Sequence, residues 1–275
     1  MKVLKRKKEE VISRIRDVAS ENGNMLQLLR SSQCGDSDVS HSIFVISPKD
    51  ELRLFARCEF GAVSRWALDL FLKEYETRQA DEVTSFCRYI SRTSDAASLR
   101  DHVFERQVLN YLGGIDLEHK FLIRGLTSSE QTTWTYRGPF RRFDFLQDLD
   151  FIDEMTKAVQ IKERLHLVPS ALNFPAVDSI LYEPDEVLTC IQIIHREHRI
   201  LVSGLQLIQS WLKLDTPLAG LRPSKERPWR FIFVVPSDKA SLELQRLEGD
   251  TVQGEWAGMV HRYVLRLDVA GKRPG

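Results

Sequence analysis

Residues 169–194 read PSALNFPAVDSILYEPDEVLTCIQII. Two short apolar runs, 176–182 and 187–194, flank the acidic segment Glu183-Pro184-Asp185-Glu186. Runs of this length, bounded by proline and aspartate, read as two strands joined by a turn. Each carries a polar side chain of interest. Asp178 stands in the first, and Gln192 follows fourteen residues later in the second, with Ile194 two places on. Side chains alternate along a strand, so Gln192 and Ile194 share a face. A chain with this segment is expected to build a sheet that carries a carboxylate and an amide on neighbouring strands.

The rest of the chain fits an α/β layout around a mixed sheet. Residues 95–112, DAASLRDHVFERQVLNYL, form an amphipathic helix ended by Gly113-Gly114, with Ser98 or Asp95 as its cap. Strands are expected at 120–126, 131–136, 176–182, 187–194, 229–235 and 263–267, with a helix at 196–213. Gly138-Pro139 interrupts the pattern, and the acidic, aromatic residues 143–154 have no clear period. Before residue 95 the periodicity predicts helices at 5–31, 61–76 and 80–92 and a short strand at SIFVI, 42–46. The expected division is a helical N-terminal region, 1–94, and an α/β domain, 95–270.

With 275 residues the chain suffices for one large domain or two small ones. No run approaches the 18 apolar residues of a membrane span, and the charged start has no apolar stretch behind it. Cys34, Cys58, Cys87 and Cys190 are far apart and read as reduced, which favours an intracellular site of action. Lys+Arg and Asp+Glu balance at 39 each, which argues against general attraction to nucleic acid. The distribution is uneven. Lys2, Lys5, Arg6, Lys7 and Lys8 make a basic start, readable as a phosphate-binding or nuclear import patch or as a solvated helix end.

Three positions are candidates for chemistry. Glu105 falls at the edge of the apolar stripe of its helix, where a carboxylate is paired with an arginine or binds a metal. Asp178 is a strand aspartate, either solvated or placed where a divalent ion would sit; magnesium takes one or two carboxylates plus water and phosphate. Gln192 can supply a weak oxygen ligand or position a water, whereas Ile194 can do neither. His198 opens the next helix, as a surface residue or facing the site. The other histidines lack metal-ligand spacing, and no phosphate-binding glycine loop or nucleophile elbow is present. Arg124, Arg141, Arg142, Arg227 and Arg230 are candidate contacts to a nucleic-acid backbone.

The segments HVFERQVLNYL (102–112), FLIRGL (121–126), PSALNFPAVDSIL (169–181), CIQIIHREHRILVSGLQLI (190–208) and WRFIFVVP (229–236) together resemble the C-terminal region of Crinkler and retrotransposon-hot-spot (RHS) proteins of fungi, oomycetes and trypanosomes. The resemblance covers about residues 98–268. The earlier segments SHSIFVISP and FARCEFGAVSRWALDLFL resemble the stretch that joins a P-loop ATPase module to this region. The ATPase motifs themselves are absent, so no ATP is expected to bind this chain.

What the resemblance implies is a restriction-endonuclease-like fold of the PD-(D/E)xK superfamily. Active members use a helix glutamate, a strand aspartate and an E/Q-x-K strand with Mg2+. These match Glu105, Asp178 and Gln192, and Ile194 stands where the lysine would be. His198, Arg124 or Lys120 are the available replacements. Three expectations follow: a nuclease-like domain of weak or no activity that binds DNA or a protein partner, an active Mg2+-dependent endonuclease, or a protein-interaction module without nucleic acid. A nuclear location and an effector role belong to the same implication.

Overall fold

The computed structural model describes residues 97–126, 130–170, 174, 177–194, 200–237, 247–248, 256 and 258–268, strands at 44–48 and 58–62, and the helical positions 12–13, 70 and 73. The chain divides into two compact units, Met1–Arg106 and Gln107–Gly275. In the first, β1 (Phe44–Pro48) pairs antiparallel with β2 (Cys58–Ala62). Residues 61 and 62 therefore belong to a strand and not to the start of a helix at 61–76. Most of the helices expected at 5–31 and 80–92 lie outside the described residues.

The second unit is built on an eight-stranded mixed sheet. Its strands are β3 (Glu118–Gly125), β4 (Gln131–Arg137), β5 (Arg141–Phe145), β6 (Leu165–Pro169), β7 (Ser179–Tyr182), β8 (Thr189–Ile193), β10 (Trp229–Pro236) and β12 (Val260–Leu267). Their spatial order is β4-β3-β12-β10-β8-β7-β6-β5. β10 runs parallel to both β8 and β12, β5 runs parallel to β6, and the other pairs are antiparallel. Three helices flank the sheet: α1 (Ala97–Gly113), α2 (Asp148–Ile161) and α3 (Val202–Trp211). A separate two-residue pair joins β9 (Ile200–Leu201) to β11 (Leu247–Glu248). That pairing holds Ile200 and Leu201 extended, so α3 begins at Val202 and not at the expected 196.

The order of the strands shapes the sheet. β4 and β5 occupy opposite edges, yet only residues 138–140 join them. Eight strands laid flat at about 4.8 Å spacing span roughly 33 Å, whereas the connection reaches at most about 14 Å. The sheet must curl until its edges approach. The end of α1 lies between those edges. Tyr136 on β4 donates a 2.7 Å hydrogen bond to the carbonyl of Leu112, and Arg142 on β5 reaches Asn110 at 3.5 Å. Gly138 is required at the joint, because a Cβ there would lie 1.7 Å from the carbonyl oxygen of Ile115.

The two faces of the sheet are covered differently. One face carries Leu165, Leu167, Ile180, Cys190, Phe231, Phe233 and Val235 into a core shared with Phe151 and Met155 of α2 and Leu205 and Ile208 of α3. Phe151 and Phe145 pack around Trp211. α2, unresolved by the sequence pattern, is set by its ends. The Asp150 carboxylate accepts from the Leu146 and Gln147 amides, and Lys162 closes the helix in the left-handed conformation. β10 is buried on both faces apart from Arg230 and its terminal proline, as a strand between parallel neighbours should be. β3 instead alternates, with Phe121 and Ile123 buried and Lys120, Leu122 and Arg124 exposed. No described helix covers the outer side of β3 and β4.

Candidate functional site

β7 and β8 bring Asp178 against the strand that carries Gln192. The register sets Ser179 opposite Ile191. The Asp178 amide donates to the Ile191 carbonyl at 2.8 Å, one step beyond the last ladder pair. The Asp178 carboxylate then closes the ladder: its Oδ2 accepts from the Ile193 amide at 2.6 Å. The carboxylate therefore takes the place of a main-chain acceptor where β7 begins, and it satisfies an amide that the ladder would otherwise leave open.

Gln192 pairs with Phe233 and lies on the face of Cys190 and Ile194, toward the core shared with α2 and α3. Its Oε1 is buried and has no hydrogen-bond partner. Ile194 is 1% exposed and belongs to that hydrophobic core, with its amide bonded to the Val234 carbonyl at 2.9 Å. Glu105 is half-buried on α1 and lies in the Met1–Arg106 unit, while Asp178 and Gln192 lie in the other. His198 is outside the described residues.

Asp178 and Gln192 are the candidate magnesium ligands that the described residues of the Gln107–Gly275 unit include. One carboxylate oxygen is engaged by a main-chain amide, and its neighbour on β8 is a neutral amide oxygen. Among the described residues no three His, Cys, Asp or Glu side chains are grouped so that they could hold a metal ion.

Four of the five candidate backbone-binding arginines have partners inside the protein. Arg141 bonds Glu154 at 3.0 Å and Glu163 at 2.8 Å. Arg142 pairs with Asp144 at 3.0 Å. Arg227 donates to the carbonyls of Gly220 and Glu186. Arg230 donates to Thr189 Oγ1 at 3.2 Å, and burial lowers its pKa, opposed by the nearby Glu186. Arg124 differs: it stands exposed on the outer side of β3.

Sequence reasoning missed β6 and the residue it buries. His166 is 0% exposed, and neither ring nitrogen has a hydrogen-bond partner. Burial, with a smaller contribution from the adjacent Arg142 charge, pushes its pKa down to about 3. Ser179 Oγ on β7 is likewise buried without a partner. The segment LHLVP has five residues, all buried and without alternation, so it shows no period that marks a strand.

No helix among the described residues is long and apolar enough to cross a membrane. Comparison of the chain with protein-family models, curated proteins and solved structures finds no match.

Proposed function

We propose that residues 107–275 form a restriction-endonuclease-like domain that does not cut and acts by binding DNA or a protein partner. The observation that carries this reading is the use made of the nuclease-like positions. Asp178, just ahead of β7, and Gln192 on β8 stand at the positions to which the resemblance to Crinkler and RHS proteins assigns a carboxylate and a glutamine. The aspartate holds the Ile193 amide, and the position implied for lysine is a core isoleucine. A lysine there would orient a nucleophilic water and offset charge in the transition state. Ile194 supplies neither function and has no access to solvent.

The test incubates purified protein with plasmid and single-stranded DNA in magnesium or manganese, beside Asp178→Ala. The expected outcome is intact substrate with both proteins. Cleavage by the parent that disappears in Asp178→Ala overturns the reading in favour of an active endonuclease. A salt titration of DNA binding separates the two kinds of partner, because phosphate contacts weaken steeply with salt and a neutral protein interface does not.

A further inference from the structure

A cleft of about 650 Å3 opens beside the connection from β4 to β5. Ligand pockets run from about 300 to 1,000 Å3, so a small molecule fits. Three turns wall it: the connection itself, the turn from α2 into β6 and the turn from β7 into β8. β5 runs parallel to β6 and β7 antiparallel to it, so the three turns gather at one end of the sheet. Pro139, Phe140 and Pro184 give the cleft an apolar wall.

Most of the charge in this wall is committed within the protein. Arg141 holds Glu154 and Glu163, and Arg164 reaches Glu183 through Nε at 3.4 Å. Two charged groups are not committed. Among the described residues the Lys162 ammonium and the Asp185 carboxylate form no hydrogen bond or ion pair, with each other or with any neighbour. The Asp185 charge reaches the Tyr182 phenol through space, without a hydrogen bond. Both residues stand on bonded turns. The Lys162 amide donates to the Val159 carbonyl at 3.4 Å where α2 ends, and Asp185 lies in the turn closed by the Glu186 amide on the Glu183 carbonyl at 3.1 Å. The backbone therefore fixes one uncommitted cation and one uncommitted anion on separate walls of one cleft.

That pair selects the ligand. A phosphate ester would meet the Asp185 and Glu163 carboxylates, and a metal ion would meet Lys162, Arg141 and Arg164. A ligand with one charge of each sign satisfies both walls. An isolated pair at exposed side chains is worth little. A carboxylate here has a second donor, because the Nη atoms of Arg164 have no partner among the described residues and Arg164 lines the same cleft.

We infer that the cleft binds a small zwitterion, an ammonium and a carboxylate joined by an apolar stem. The carboxylate sits at Lys162 and Arg164, the ammonium at Asp185, and the stem along Pro139, Phe140 and Pro184. This goes beyond the non-cutting reading and does not depend on it.

The experiment is a ligand-observed NMR titration of the full chain with γ-aminobutyrate and ε-aminocaproate. Each is run beside the acid and the amine of the same length, which carry one charge only. At least one zwitterion should bind about tenfold tighter than either single-charge analogue, the effect of one charge-assisted hydrogen bond. Lys162→Gln should weaken the zwitterion and the acid and leave the amine unchanged. Asp185→Asn should weaken the zwitterion and the amine and leave the acid unchanged; asparagine tolerates the left-handed position, so this variant serves if Lys162→Gln fails to fold. Lys213→Gln, outside the cleft, should bind as the parent does. Four results overturn the inference: an acid or amine that binds as tightly as its zwitterion, parent-like binding by both variants, equal loss for all three ligands in either variant, or no binding of either zwitterion. The non-cutting reading stands or falls on its own cleavage assay.

Discussion

The β7–β8–β10 region and the β3–β4 hairpin with its neighbour β12 belong to one sheet, yet they use polar residues in opposite ways. In the first, both faces are covered and polar groups are drawn into the fold. Asp178 holds an amide, Arg230 bonds Thr189, and Gln192 Oε1 is buried. In the second, one face is closed and the other is open, and the open face carries cations. Asp178 and Gln192 are half-buried, with one Asp178 oxygen turned to main chain and Gln192 Oε1 buried.

The connection from β4 to β5 is the place where the largest loss is expected. Gly138→Ala drives a Cβ against the Ile115 carbonyl and should cost about 4 kcal/mol or more, read by denaturant unfolding. Gly113→Ala, with nothing within 4 Å of its added carbon, should change stability by less than about 1 kcal/mol. In the closed region, Phe233→Ala should cost about 3–5 kcal/mol. In the open region, Leu122→Ala should cost less than about 0.5 kcal/mol. Similar losses at the two positions would erase the distinction between covered and open faces.

His166 sharpens the comparison through pH. Its folded pKa lies near 3, below the ordinary 6.5. The unfolded chain takes up the proton first as pH falls, so the stabilisation is present above pH 6.5 and is lost progressively toward pH 3. Unfolding free energy should drop by about 2 kcal/mol between pH 6.5 and 5, and His166→Leu should abolish most of that slope. Asp178→Ala should cost about 1–3 kcal/mol by leaving the Ile193 amide without its acceptor. Asp178→Asn keeps an oxygen there and should cost less.

The sequence announced elements whose period matched their burial. The alternation of β3, the apolar run of β10 and the stripe of α1 were all legible. Others were hidden for physical reasons. β6 is too short and too evenly buried to show a period, and residues 143–154 span the end of β5 and the start of α2, so two periods meet within twelve residues. At the candidate site, the adjacency of Asp178 and Gln192 was readable from two strands and a turn. The commitment of the carboxylate to Ile193 was not, because it depends on where the β7–β8 ladder stops. The cleft was hidden for a different reason. Lys162 and Asp185 stand in separate turns, and only the fold places both beside Pro139.

The most direct test of a domain that binds without cutting follows both events in one sample. A labelled single-stranded oligonucleotide is incubated with the parent protein in manganese, and bound fraction and fragment length are read together. The account predicts a bound oligonucleotide of unchanged length, released by salt. Shortened fragments with the parent but not with Asp178→Ala would contradict it.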